Sequence, residues 1–287
     1  MSGLGDRHTV RTSIGDVDYH VRGSGRTMVF VHGLLANAVL WSDVVSELAA
    51  GYRCVCVDLP LGSHRLAADP DAELTPATVA SALAEVLEAV APDGAVLVAN
   101  DTGGVLAQIV ATTTPERLDG LVLTPCDLYA NFLPWMLRYI QVLARVPGGV
   151  WLMATLLRFG WLRRLPIAYG WLVRRLLTPQ EWDSFLRPAT GSPAVRRDLG
   201  KFLRAISTRY TRGTAQRLPE FEKPTLFAWA DTHRIFPVAH ARRLAGSMPD
   251  AEVRAVPDSY AFLPMDKPAA LSGLIDEFVS TRLGAAR

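Results

Sequence analysis

An aspartate, Asp101, stands at the centre of the sequence Ala-Asn-Asp-Thr-Gly-Gly at positions 99–104. A small residue two positions before it and glycines two and three positions after it are what a tight turn from a strand into a helix requires. Such a turn strains the central residue and pushes its side chain into a cleft at the start of the helix, where the helix dipole favours an anion. We therefore expect an ionised carboxylate that can act as a nucleophile or as a general base.

The surrounding pattern of apolar runs indicates the elements that position this turn. Residues 8–23 predict a β-hairpin, with Gly15 and Asp16 at its turn. Short apolar runs that suit buried parallel strands then alternate with helical stretches, one of which starts at Thr75 and Pro76. This alternation predicts an α/β fold with a doubly wound, mostly parallel β-sheet. In such a fold the site lies at the carboxyl ends of the strands, where Asp101 falls.

One long segment interrupts the alternation. Residues 128–218 contain no convincing strand, only helical stretches that are rich in Trp, Leu and Arg. Because the segment is inserted between two predicted strands, it predicts a helical cap over the strand ends. The predicted domains are therefore a core of residues 1–127 and 219–287 and a cap of residues 128–218.

Composition narrows the choice of partners. The net charge of +2 favours neither nucleic-acid binding nor an acidic tail, and the three cysteines suit buried thiols in a reducing compartment. No signal peptide is visible, and the longest uncharged apolar stretch, residues 146–157, is shorter than the ~20 residues that span a bilayer. We expect a cytoplasmic protein without stable membrane insertion, without a cofactor or a metal site, and either monomeric or homodimeric.

Several motifs occur in an order that resembles the α/β-hydrolase superfamily along nearly the whole chain. They are the His32-Gly33 turn, Asp58-Leu59-Pro60, the turn at Asp101, Trp229 with Phe236-Pro237, and the pattern of residues 262–268. An aspartate in the nucleophile position is similar to the haloalkane dehalogenase and epoxide hydrolase branch. The resemblance implies carboxylate attack on a saturated carbon, an alkyl-enzyme ester, and hydrolysis of that ester by a water that a histidine activates. It also implies an oxyanion hole formed by the backbone N–H groups of Leu34 and Thr102.

The sequence departs from this family at the catalytic histidine. The position before the aromatic residue of the final loop, where the family has histidine, holds Ala261, and the position of the family's acid holds His233. In one interpretation His233 is the relocated base and faces Asp101, and Asp231 or Asp127 orients its imidazole. In the other, the hydrolytic machinery has been lost and the cleft binds or shapes a ligand without water chemistry.

The positions around the nucleophile also bear on the substrate. Dehalogenases of this fold usually hold the halide with a tryptophan and often an asparagine, where this chain has Thr102 and Leu34. This difference argues against haloalkane chemistry unless Trp135 of the cap substitutes. Epoxide hydrolases protonate the opening oxygen with cap tyrosines, and the apolar cap predicts a small hydrophobic substrate.

Six side chains are candidates for contact with that substrate: His32, Tyr129, Trp135, Tyr139, Tyr169 and Tyr260. The alternative for His32 is a structural role in its loop, and the alternative for the cap tyrosines is packing with a hydrogen-bonded hydroxyl. His64 lies in the loop after a strand and is expected to be solvated. Arg-Arg pairs in the cap indicate a basic outer face, which could attract an acidic carrier, an anionic ligand or a membrane surface, or could simply be solvated.

Three functions remain open at this point. The first is an epoxide hydrolase-like enzyme in which Asp101 is the nucleophile. The second is a cyclase, lyase or bond-forming catalyst of specialised metabolism in which Asp101 is a general base. The third is a ligand receptor without catalytic activity.

Overall fold

The computed structural model describes residues 3–231 and 235–284. Within these residues the chain forms an eight-stranded sheet. Its strands are β1 (Asp6–Thr12), β2 (Gly15–Arg22), β3 (Thr27–Val31), β4 (Arg53–Asp58), β5 (Ala95–Asp101), β6 (Leu118–Cys126), β7 (Thr225–Ala230) and β8 (Ala251–Val256). They lie in the order β1-β2-β4-β3-β5-β6-β7-β8. The pairs β1–β2 and β2–β4 are antiparallel and the other neighbouring pairs are parallel, which confirms the predicted fold class.

The predicted N-terminal hairpin is present, but the predicted position of its turn is wrong by two residues. Gly15 pairs with Thr12 and Asp16 pairs with Arg11, so both predicted turn residues belong to β2. The turn is made by the two residues between the strands. Gly15 has a φ of 122°, a conformation that glycine adopts without a steric penalty.

Helices cover the sheet and fill the segment between β6 and β7. They are α1 (Ser42–Leu48), α2 (Pro76–Val90), α3 (Thr102–Thr113), α4 (Tyr139–Leu143), α5 (Gly149–Leu156), α6 (Gly160–Arg163), α7 (Pro179–Gly191), α8 (Pro193–Ala205), α9 (Thr208–Arg217), α10 (Val238–Ala245), α11 (Leu263–Asp266) and α12 (Pro268–Arg282). The predicted start of α2 is confirmed, with Thr75 as its N-cap residue. The hydroxyls of Thr75 and Thr78 each accept a hydrogen bond from the other residue's backbone N–H. No helix in the described part of the chain has the length and apolar run needed to cross a bilayer.

Burial of the central elements explains how Asp101 is fixed. Every residue of β5 is buried, and so is α3 from Thr102 to Thr112. A strand and a helix that are both enclosed by the core cannot move independently, so the turn that joins them is rigidly placed.

The segment between β6 and β7 contains helices and turns but no strand among residues 127–224, all of which are described. Its last helix, α9, packs on α3, and the Thr214 hydroxyl donates a hydrogen bond of 3.0 Å to Oε1 of Gln108. The division into a core of residues 1–127 and 219–287 and a cap of residues 128–218 is retained as a proposal, with α9 anchored to the core.

A buried contact between two side chains joins the segment between β6 and β7 to the loop after β4. Nε2 of His64, in the loop after β4, lies 3.3 Å from Oδ2 of Asp198 on α8, and each side chain is 1% exposed. Asp198 also accepts hydrogen bonds from the backbone N–H of Ala68 and from the side chain of Arg197. The expectation that His64 is solvated is therefore wrong, because the cap covers this loop and supplies a buried acid.

Candidate active site

Asp101 lies at the turn between β5 and α3, as the sequence predicts. Its φ of 53° and ψ of −129° are unusual for a residue with a side chain. The two following glycines are required by close packing. A Cβ on Gly103 would lie 2.5 Å from the carbonyl oxygen of His32, and a Cβ on Gly104 would lie 2.4 Å from Cβ of Cys126. The turn thus holds Asp101 between two neighbouring strands.

The Asp101 carboxyl meets the two backbone groups that were predicted to form an oxyanion hole. Burial raises the pKa of Asp101 to about 6, and hydrogen bonds from the backbone N–H groups of Thr102 and Leu34 oppose this rise. Oδ2 lies so close to Gly33 that a Cβ there would be only 2.1 Å away. The helix dipole does not keep the pKa low, because desolvation outweighs it. The carboxylate predominates at neutral pH and is more basic than an exposed one.

A second carboxyl, that of Asp127, lies in the same cavity directly after β6. Asp127 is 1% exposed, and neither of its carboxyl oxygens has a hydrogen-bond partner among the residues described. Its backbone carbonyl is fixed by Gln108, whose Nε2 donates a hydrogen bond of 3.0 Å. Burial and the charge of Asp101 raise the pKa of Asp127 well above its ordinary value. Asp127 therefore holds its proton more tightly than an exposed carboxyl does.

The two carboxyls line a mainly apolar cavity with about 540 Å³ of empty space, including its opening. Its other walls are Leu34, Leu35, Thr102, Leu133, Pro134, Leu137, Tyr139, Ile140, Met153, Leu157, Ile167, Ala168, Tyr169 and Leu172. Most of these residues come from the segment that follows β6, so the cap closes the site over the strand ends. Within the described ranges, no three His, Cys, Asp or Glu side chains are grouped as metal ligands.

His32, a predicted substrate contact, is absent from the lining of this cavity. The ring is fully buried, with Nδ1 2.8 Å from the carbonyl oxygen of Gly33 and Nε2 accepting a hydrogen bond of 3.1 Å from the backbone N–H of Leu59. Burial lowers the pKa of His32 to about 4, so the imidazole is neutral. It joins the loops after β3 and β4 and so supports the position of Leu34.

Two cap tyrosines reach the cavity, and both hydroxyls are already bonded. Tyr139 donates to the carbonyl oxygen of Ile167 at 2.7 Å, and the buried Tyr169 donates to that of Leu35, also at 2.7 Å. Tyr169 also packs edge-on against Phe262. In this state the hydroxyls hold the cavity wall, in agreement with the packing alternative.

The other three predicted contacts lie outside the cavity. Trp135 is 78% exposed at the cap surface. Tyr129 packs against His240 and Arg243 of α10. Tyr260 is absent from the cavity lining, and its backbone N–H donates to Asp266. The structure therefore does not bring these three predicted substrate contacts into the cavity.

The position at which the family has histidine is occupied by a buried residue whose backbone is hydrogen-bonded. Ala261 is fully buried, and its carbonyl oxygen accepts a hydrogen bond of 2.7 Å from Nδ2 of Asn100. The same amide donates to the hydroxyl of Thr124 at 2.8 Å. Asn100 thus fastens the final loop to the turn at Asp101, a role that sequence reasoning missed because a single amide beside Asp101 carries no recognisable pattern.

The predicted relocated base, His233, lies outside the described residues. Asp231, predicted as one partner for it, is exposed at the end of β7 and is not part of the cavity lining. Asp127, the other predicted partner, does lie in the cavity with Asp101. Of the two carboxylates proposed to accompany the nucleophile, only Asp127 is thus placed where it can meet a substrate.

Comparison with known proteins identifies the class. The chain belongs to the alpha/beta hydrolase fold family, whose sequence profile matches residues 26–268. The 2-hydroxy-6-oxo-6-phenylhexa-2,4-dienoate hydrolase of Burkholderia cepacia is 27% identical over 247 residues, covering 82% of this chain and 81% of that protein.

Two solved structures share the fold. Haloalkane dehalogenase DbeA from Bradyrhizobium elkani USDA94 has a TM-score of 0.80 and 18% identity, covering 98% of this chain and 99% of that one. Epoxide hydrolase CorEH has a TM-score of 0.79 and 17% identity, covering 96% and 99%. At these identities the likeness is one of fold.

Proposed function

We propose that this protein is a hydrolase in which Asp101 attacks a small apolar electrophile, with an epoxide as the substrate class that the site suits best. The observation that carries the proposal is the Asp101 carboxyl, which is held at the elbow between the N–H groups of Leu34 and Thr102 and opens into an apolar cavity. Enclosure strengthens the nucleophile, because a carboxylate without its water shell is more reactive.

An epoxide suits this cavity better than a haloalkane. A leaving halide needs N–H donors, but no tryptophan lines the cavity among the described residues, and Trp135 is exposed. An epoxide instead needs a proton for its opening oxygen, because an alkoxide is a poor leaving group. In this proposal Asp127 supplies that proton, since its carboxyl lies in the same cavity, has no hydrogen-bond partner among the described residues, and has a pKa that burial raises well above its ordinary value.

In the first half of the reaction, a carboxylate oxygen of Asp101 forms a bond to one epoxide carbon, and the bond from that carbon to the epoxide oxygen breaks. The oxygen takes the proton of Asp127. The products are a hydroxyalkyl ester at Asp101 and a carboxylate at Asp127. Because the ester is uncharged, the repulsion that favoured protonation of Asp127 has gone, and Asp127 is now available as a base.

In the second half, Asp127 takes a proton from water while the water oxygen attacks the ester carbonyl. The N–H groups of Leu34 and Thr102 stabilise the resulting oxyanion, and such donors are typically worth about 3 kcal/mol each. Collapse releases the diol, whose departing oxygen takes a proton from Asp127. The two carboxyls hold one shared proton at the start and at the end.

A single turnover of styrene oxide or 1,2-epoxyhexane in heavy-oxygen water tests the proposal. We expect a diol without the heavy isotope, since its new oxygen comes from Asp101, and a protein that has gained one heavy oxygen in the peptide containing Asp101. Quenching before completion should give an ester adduct by mass spectrometry. Asp101→Asn should abolish turnover, whereas Asp119→Asn, on the far end of β6, should retain it.

The base is identified by comparing Asp127→Asn with His233→Gln. We expect Asp127→Asn to lower turnover by about 10²–10⁴ and His233→Gln to form and hydrolyse the ester normally. Accumulation of the ester in His233→Gln alone would assign the base to His233. Product that contains no oxygen from Asp101 or from water would indicate non-hydrolytic chemistry, and tight binding without product in both wild type and Asp101→Ala would indicate a receptor.

A further inference from the structure

The outer surface of the cap concentrates the exposed apolar groups of the molecule. All eleven large apolar side chains that are exposed in the described residues lie between Trp135 and Leu176. Trp135 is 78% exposed, Trp161 67% and Leu176 73%. A soluble surface rarely groups so many, and such grouping marks an interaction site. We call residues 135–176 the basic apolar face.

The charged side chains in and around this face are all positive. Residues 128–180 contain seven arginines and no aspartate or glutamate, although the whole chain has a net charge of only +2. Arg174 and Arg175 at its edge pair with Asp258 and Glu181. The other five arginines have no acidic side chain within 4.0 Å in the part of the chain that the structure describes.

Helix α5 shows how the face is arranged. Its Met153 is buried, and together with Leu157 it lines the substrate cavity. Leu152 and Leu156, four residues apart and so on one side of the helix, are exposed. A helix that is apolar on both its inner and its outer side has one apolar surface without a protein partner.

Arginines also surround a groove beside this helix. The groove has about 800 Å³ of empty space including solvent, and Trp151 and Val146 line it with four arginines: Arg145, Arg196, Arg197 and Arg204. An aromatic ring next to several guanidinium groups suits a boundary where an apolar phase meets anionic headgroups.

We propose that the basic apolar face docks the protein on an anionic phospholipid surface, with the tryptophans and leucines in the interface and the arginines on the headgroup phosphates. A second copy of the chain is a poorer partner, because a two-fold interface would place the arginines against themselves. An acidic protein would match the charge but not the number of exposed tryptophans and leucines. Docking through this face would also place the substrate cavity next to the lipid. Tyr139 and Ile167 are exposed on the face and line the cavity, so an apolar substrate can enter from the lipid.

Flotation of the full chain with vesicles tests the proposal. We expect binding to mixed phosphatidylcholine and phosphatidylglycerol vesicles, weakening with added salt, a blue shift of tryptophan emission, and little binding to phosphatidylcholine alone. The double variant Arg158→Gln with Arg164→Gln should lower the partition coefficient roughly 30-fold, at the usual contribution of a surface arginine near anionic lipid. Trp151→Ser with Trp161→Ser should lower it by at least about tenfold, because the interface loses two aromatic anchors.

Arg7→Gln with Arg242→Gln removes the same charge from exposed positions outside the face and should lower the partition coefficient by less than about threefold. Far-UV circular dichroism should show that all three variants are folded, since the changed side chains are on the surface. The proposal is overturned if wild type does not bind the mixed vesicles, or if the control variant weakens binding as much as the arginine variant does. It is equally overturned if the tryptophan variant abolishes a dimer seen by sedimentation while vesicle binding persists, or if wild type binds a purified acyl carrier protein and no vesicles.

Discussion

Asp127 and Asp101 project into one apolar cavity, where burial and then the charge of Asp101 raise the pKa of Asp127 well above its ordinary value. Two neighbouring buried carboxyls disfavour each other's ionisation, so the Asp127 proton is held more tightly while Asp101 is charged. Pairs of titratable groups whose environments separate their pKa values are the arrangement from which acid–base catalysis is built. The relationship has measurable consequences for stability and for rate.

Stability should depend on pH through Asp101. Since burial raises its pKa from 3.8 to about 6, the folded protein binds this proton more tightly than the unfolded chain does. The stabilisation is complete below about pH 4 and is lost as pH rises through about 6, a fall of ~3 kcal/mol in the free energy of unfolding. Urea unfolding between pH 4 and 7 should show this fall in wild type and in Asp119→Asn. Asp101→Asn should reduce it and be more stable than wild type at pH 7; an unchanged slope would contradict the assignment.

The rate should follow a bell-shaped dependence on pH. With styrene oxide as the probe, kcat/KM should rise as Asp101 ionises near pH 6 and fall at higher pH as Asp127 loses its proton. Asp127→Asn should lower the rate by about 10²–10⁴ and remove the alkaline limb from the remaining activity. If that limb persists in the variant, another group donates the proton.

Packing at the elbow should make Gly104 intolerant of a side chain. In Gly104→Ala the new Cβ would meet Cβ and Sγ of Cys126 at 2.4 and 2.6 Å, and β6 cannot shift because it is enclosed. We expect a loss of about 1–3 kcal/mol in the free energy of unfolding. Gly273→Ala is the matched control: it also changes a helical glycine, but its Cβ meets nothing within 4 Å. It should be neutral or stabilise by up to ~1 kcal/mol, and equal losses in the two variants would refute the packing argument.

The buried contact between His64 and Asp198 should be needed for both stability and activity. Burial raises the pKa of Asp198, but hydrogen bonds from His64 and Arg197 outweigh it, and the pKa lies below its ordinary value. Asp198→Asn should therefore cost about 3 kcal/mol at neutral pH, because it leaves buried donors poorly satisfied. The loss should shrink in acid, as Asp198 of the wild type takes up a proton. The control is Asp183→Asn, which changes an exposed aspartate on α7 and should alter neither the urea midpoint nor kcat/KM. An effect as large as that of Asp198→Asn would show that the loss does not come from the contact between Asp198 and His64.

The features that could be predicted from the sequence are those that residues close together in the chain determine. The elbow at Asp101 is specified by its own glycines, and the start of α2 by Thr75 and Thr78, which are three residues apart. The strands follow from apolar runs that cannot remain in water. The fold class could therefore be predicted before any coordinates, together with the place of Asp101 at the turn between β5 and α3.

The remaining parts of the site depend on contacts between distant residues. Whether Tyr129 or Tyr169 enters the cavity is decided by how the segment after β6 turns, and no periodicity encodes it. His64 meets Asp198 across 134 positions. The raised pKa of Asp127 depends on its burial and on the charge of Asp101, neither of which is visible in the residues next to it.

The bond from Asn100 to the Ala261 carbonyl fixes the final loop through its backbone, whatever side chain stands at residue 261. Ala261 is fully buried, so a larger side chain there would have to displace packed neighbours. Placing an imidazole at this position would therefore lower the free energy of unfolding, even though the backbone that would carry it is already held against the elbow.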